Sequence, residues 1–164
     1  MATHRLTMPY RGTSELLVQA ALGGLIGGML MGMASMMLFP LLGYGGFWQP
    51  INLIAAVVNR SWGDTGDFEA APVLTEMMIH MAMSLMLGVT FAWVVGRSHG
   101  FNVWAVAASL AVWAVAHFAV LPFLDPIMAR RFPYWLFAMG HALYGLGLGG
   151  YLAWATAARP VQAT

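Results

Sequence analysis

The chain has no cysteine and no lysine. The first absence excludes disulfides, thiolate metal centres and thiol nucleophiles. The second excludes Schiff-base chemistry through a side-chain amine. Charge of either sign is scarce: Asp, Glu, Lys and Arg are 8% of the residues, against 60% hydrophobic. A soluble domain carries about a quarter charged residues, so this chain has too few to cover a surface in water, and a lipid bilayer is its expected solvent. A net charge of +1 offers no footprint for nucleic acid. There is no G-x-S-x-G or H-E-x-x-H motif and no carboxylate in the middle of an apolar run. The chain is therefore expected to be neither a hydrolase nor a carboxylate-driven pump.

What is present is long apolar runs. A membrane span needs about 20 such residues, and four segments qualify, at about 16–42, 73–96, 101–124 and 134–157. Arg5 and Arg11 precede the first run, but it far exceeds the apolar core of a signal peptide and reads as a retained helix. The first run is long for a bilayer, so it should tilt, kink near its glycines or end early at Pro40. Between spans 1 and 2, Pro50 suits a helix start and Ile51, Ile54, Ala55 and Val58 share one face. A short interfacial helix is expected over about 50–59, followed by an exposed loop at 61–70. The predicted fold is all-α, a four-helix transmembrane bundle forming one domain over residues 1–164. Tyr44, Phe47, Trp48, Tyr134 and Trp135 would mark one interface, and Trp93, Trp104, Tyr151 and Trp154 the other. Arg5, Arg11, Arg97 and Arg159 lie on the side of both termini, against Arg60, Arg130 and Arg131 opposite. This bias favours both termini in the cytoplasm.

Gly24, Gly28 and Gly32 recur every fourth residue, the small-xxx-small pattern that lets helices approach closely. Gly145 and Gly149 repeat it in span 4, and Ser84 and Gly88 in span 2. The run Gly23–Gly28 follows no strand and is not a phosphate loop. His80 with Ser84 and Gly88 parallels His141 with Gly145 and Gly149, which suggests a two-hairpin repeat in which Ser35 matches His117.

Counting along each span puts His80, His117 and His141 at one depth, roughly 10 Å from the surface opposite the termini. Glu76 lies one turn from His80, and Tyr144 one turn from His141. Two readings stand. As polar glue, each ring bonds across a helix contact, worth about 0.6–2 kcal/mol. As a site, the layer binds haem, a chlorophyll-type pigment or a metal, or contacts protons or a quinone. The stripe Met29, Met33 and Met36, with Met77 and Met81 beside His80, adds thioethers suited to Cu(I), though Met also fills gaps in ordinary packing. His4 and His99 are assigned no role.

Gly46-Phe47-Trp48 with Pro50 and residues 53–56, His80 with Ser84 and Gly88, His117 before Pro122, and Gly140-His141 before Gly145 together resemble the YagU-like group of small bacterial inner-membrane proteins. The resemblance spans about residues 15–155 and implies a four-helix inner-membrane protein, with no mechanism attached. The chain's methionine content departs from that group. The function expected first is a non-enzymatic subunit packing through its glycine faces against other membrane subunits of a larger, energy-converting complex. The alternatives are a cofactor or metal binder using the histidine layer, or a homo-oligomeric channel or transporter.

Overall fold

The computed structural model describes residues 12–95 and 101–157. Arg5, Arg11, Arg97 and Arg159, which carry the near-side charge count, lie outside the described residues, as do His4 and His99. Among the described residues the chain is helical, without strands: α1 (Gly12–Leu41), α2 (Gln49–Ala55), a 3-10 turn (Arg60–Asp64), α3 (Ala70–Val95), α4 (Phe101–Val115), a π turn (Ala116–Val120), α5 (Leu121–Leu124), α6 (Pro126–Arg131) and α7 (Tyr134–Ala157). Three helices are long and apolar enough to cross a membrane: Ser14–Leu41, Ala70–Val94 and Asn102–Leu124. The fourth expected span, α7, has the length but not the apolarity. Its five glycines, three tyrosines and one histidine dilute its leucines. Ten of its residues are buried, His141 and Tyr144 among them.

The long helices form an open row, α3–α1–α7–α4. Helix α7 packs along both α1 and α4, α1 packs along α3, and α3 scarcely touches α4. A closed four-helix bundle is therefore not what the chain builds. Glycine sets this order. On one face of α1, a Cβ at Gly24 would run into the Ser84 carbonyl oxygen, and one at Gly28 into the Ser84 hydroxyl. From the α3 side, a Cβ at Gly88 would strike the Ala20 carbonyl oxygen. On the other face of α1, Gly27 lies against Tyr144, and a Cβ at Gly147 would come 2.7 Å from the Gly27 Cα. Gly145 meets α4, where a Cβ would fall 2.6 Å from the Val106 Cα. Backbones this close gain dispersion contact along their whole length. The small-residue faces expected to pack against other subunits are thus largely occupied within the chain. Gly149 is buried on α7, and Gly32 borders the His80 ring.

Helix α1 runs through Pro40 and stops at Leu41. Gly43 supplies the left-handed residue that ends it, at φ +73. Its N–H donates to the Pro40 carbonyl at 3.2 Å and the Tyr44 N–H to the Phe39 carbonyl at 3.0 Å, a Schellman closure. The Phe39 and Tyr44 rings pack beside it, 5.8 Å apart. The expected helix at 50–59 is shorter than its apolar pattern implied. It ends at Ala55, and Val58 is 64% exposed. Polar anchoring explains the difference: Asn52 is fully buried and its amide donates to the Thr65 and Asp67 carbonyls, each at 3.0 Å. The loop is thereby folded back over α2, with Gly63 buried and accepting from Gln49 and Arg131. The third span is interrupted where Pro122 has no N–H to continue the helical ladder, and the π turn over Ala116–Val120 absorbs the defect.

Core side chains gather at two levels. Leu16, Ala20, Phe91, Ala105, Tyr144 and Leu148 fill one end, and Phe39, Leu53, Met128, Phe132, Leu136 and Phe137 the other. If glycine contact fixes the helix order, Gly24→Val costs about 1–3 kcal/mol through overpacking. Gly150→Ala, with nothing within 4 Å of the added methyl, leaves stability unchanged or raises it by about 0.5–1 kcal/mol. Unfolding of both variants in detergent measures this, and equal costs would contradict the assignment.

Candidate functional site

The open row leaves a cleft between α3 and α4, floored by α7. It holds a cavity of about 450 Å³. Its walls are nearly all apolar: Met83, Leu87 and Phe91 from α3, and Ala108, Val112 and Leu121 from the facing helix. A few polar groups enter it, namely His80, Ser84 and Thr90 from α3, Ser109 from α4, His141 and Tyr144 from α7, and Asp125 at the end of α5. A largely apolar space with a small set of polar groups is the usual form of a small-molecule site.

Several of those polar groups are already satisfied. The Tyr144 hydroxyl donates to the Ser84 carbonyl at 2.7 Å, tying α7 to α3, so it does not serve His141 as its spacing suggested. Ser109 donates to the Ala105 carbonyl at 2.7 Å in its own helix. The Ser84 and Thr90 hydroxyls have no hydrogen bond among the described residues, and two acceptor atoms are also left over. His141 Nδ1 lies 3.0 Å from the Phe137 carbonyl oxygen. A carbonyl only accepts, so Nδ1 carries the proton and Nε2 is a bare lone pair. That Nε2 has no hydrogen-bond partner among the described residues. The second atom is the Asp125 Oδ2, buried and without a partner, while Oδ1 accepts from the Met128 N–H at 3.0 Å and caps α6. Burial pushes the Asp125 carboxyl above its ordinary value. The Met128 and Ile127 N–H groups and the Arg60 charge pull the other way, and burial prevails.

Of the three sequence-predicted histidines, the structure brings His80 and His141 to one cleft and leaves His117 out. His117 sits in the π turn among aromatic rings, stacked on Trp113 at 6.3 Å, with Phe118, Tyr134 and Phe137 around it. Its Nδ1 is buried without a partner. His80 Nε2 reaches the Gly28 carbonyl oxygen of α1 at 2.9 Å, and Glu76 lies 3.7 Å from its Nδ1, the pairing their spacing predicts. The ring lies beside Gly28 and Gly32, where Cβ atoms would make ordinary contacts of 3.5 and 3.7 Å with His80 Nε2. Ser35, matched to His117 by the repeat, is buried beside Gly140. Among the described residues no three His, Asp or Glu side chains come together to hold a metal ion. A three-imidazole centre is therefore not formed.

Asp125 belongs to none of the motifs identified from the sequence. Its position directly before Pro126 is an N-cap signal that the sequence carries plainly. The cleft itself had no such signal, because it arises from the absence of α3–α4 packing. Comparison with family models, with curated proteins and with solved structures finds no match. The YagU-like resemblance thus rests on its short motifs alone.

The raised Asp125 value fixes a pH dependence. The folded chain holds this proton more tightly than the unfolded chain, so stability falls as pH rises from about 3.8 through the raised folded value. Asp125→Asn keeps a capping oxygen and should flatten that slope. Asp125→Ala loses the cap and should cost about 1 kcal/mol at every pH. Unfolding measured across pH in detergent checks both. An unchanged slope in the Asn variant would contradict the assignment.

Proposed function

We propose that the chain is a non-enzymatic, multi-pass protein of the bacterial inner membrane that holds a hydroxyl-headed lipid in the cleft between α3 and α4. In this reading α7 is the fourth span, both termini face the cytoplasm and the aromatic-rich ends lie at the two interfaces. The carrying observation is that His141 Nε2 and Asp125 Oδ2, two hydrogen-bond acceptors without a protein donor, line one apolar cavity of about 450 Å³. The buried Asp125 Oδ2 left unpaired costs about 1–3 kcal/mol, and His141 Nε2 opens to the same space, so the cleft favours a ligand that brings O–H groups. A quinol supplies them at its head and an isoprenoid tail for the apolar walls. The oxidised quinone carries only acceptors and would be held less well.

The accessory-subunit reading loses the glycine faces that motivated it, since those are largely occupied between α1, α3, α7 and α4. It keeps one observation: the same cleft has the apolar lining that a partner helix would use.

Organic extraction of the purified chain, followed by mass spectrometry, tests the proposal. A near-stoichiometric quinol or related hydroxyl-headed lipid is expected. Ala108→Phe, which grows into the cleft from α4, should release it with helix content and unfolding midpoint retained. A lipid-free chain that cross-links through α3 and α4 to one membrane polypeptide would overturn the proposal and favour the subunit reading.

A further inference from the structure

A second cavity, of about 320 Å³, lies between α1, α2 and α3, on the other side of His80 from the cleft. Its lining is dominated by methionine. Met31, Met36 and Met81 are half-buried, while Met29, Met33 and Met77 stand at its rim. Among its described lining residues the imidazole is His80 and the carboxylate Glu76, with the Ser35 hydroxyl and the Trp48 indole also present. The helix period explains the gathering: Met77 and Met81 lie one turn apart on α3, as do Glu76 and His80, so two turns present four donors to α1.

We propose that this cavity is a binding site for a monovalent soft metal ion, Cu(I), held by the Met36 and Met81 thioethers and His80 Nδ1, with the Glu76 carboxylate as counter-charge. Three observations carry it. Thioether and imidazole donors together select Cu(I) over the harder divalent ions. The two hard donors, Glu76 and His80, are too few for a closed zinc site. Second, His80 is already oriented as a ligand. Its Nε2–H donates to the Gly28 carbonyl at 2.9 Å, which fixes the tautomer and leaves the Nδ1 lone pair facing Glu76. A ligating histidine characteristically donates its other N–H in this way. Third, the Glu76–His80 gap of 3.7 Å is wider than a charge-assisted hydrogen bond of about 2.7–2.9 Å, so the pair is juxtaposed but not closed. A single positive charge beside one carboxylate is neutral, whereas a divalent ion would leave a net charge in an apolar space, at high cost. Binding displaces any proton shared by Glu76 and His80.

The site is independent of the lipid reading, which uses His141 and Asp125. The test is an anaerobic titration of the full chain in detergent with Cu(I) held by a coloured chelator, with X-ray absorption on the loaded protein. The chain should strip a single ion from the chelator and show sulfur scatterers around it. Met36→Leu with Met81→Leu keeps volume while removing both sulfurs. It should bind at least about tenfold more weakly with its unfolding midpoint unchanged. No uptake by the parent chain, a copper spectrum without sulfur, or equal uptake by a folded double variant would each overturn the proposal. Should the double variant fail to fold, Met81→Leu alone and the absorption spectrum of the parent chain decide.

Discussion

The close approach of α1 to two neighbours at once is the constraint from which the rest follows. Two faces of one helix carry glycine. Gly24 admits the α3 backbone at Ser84 and Gly28 the Ser84 side chain, while Gly23 and Gly27 admit α7 at Tyr144 and Leu148. Side chains of ordinary size at these positions would push the helices apart and remove the contacts that order them. With α1 so engaged on both sides, α7 becomes the inner helix and carries α4 on its far face through Gly145. Helices α3 and α4 end at opposite edges of the row, and the cleft is the space between those edges.

The same contacts place the polar groups. His80 reaches the Gly28 carbonyl across the α1–α3 contact, and that bond sets which ring nitrogen remains free. Tyr144 crosses the α1 contact region to reach the Ser84 carbonyl, which consumes its hydroxyl. His141 turns its proton to its own helix at Phe137. These polar side chains reach backbone carbonyls first; His141 Nε2 and Asp125 Oδ2 are left over at the cleft, and His117 Nδ1 and Asn52 Oδ1 away from it. On that accounting the chain has two distinct spaces: a cleft holding unpaired acceptors, and a methionine cavity holding soft donors around one oriented imidazole.

Much of the fold was legible in the sequence. The apolar runs located α1, α3 and the α4–α5 segment to within a few residues, because a 20-residue run has few alternatives. Gly24, Gly28, Gly88 and Gly145 lie at close helix contacts within the chain, but glycine spacing does not say whether the partner is another subunit or another part of the same chain, since the pattern records only close approach. The Glu76–His80 pairing followed from helical period alone. Depth counting put three histidines in one layer, yet depth carries no direction around the helix axis. The π turn rotates the residues after Val115 and delivers His117 into an aromatic cluster instead. Helix α7 escaped hydropathy because its glycines, tyrosines and histidine dilute its leucines. The cleft was illegible for a plainer reason: it is made by a contact that does not form.

That missing contact is the central claim, and a distance measurement tests it most directly. The chain has no native cysteine, so Met86→Cys on α3 and Leu110→Cys on α4 can be spin-labelled without further change. Both positions are exposed. Leu22→Cys on α1, also exposed, paired with Met86→Cys gives an internal ruler for two helices in contact. In reconstituted bilayers the α1–α3 pair should report axes at the packed spacing of about 8–10 Å, and the α3–α4 pair a clearly larger separation. Packed spacing for both pairs would mean a closed bundle without a cleft, and would contradict the account.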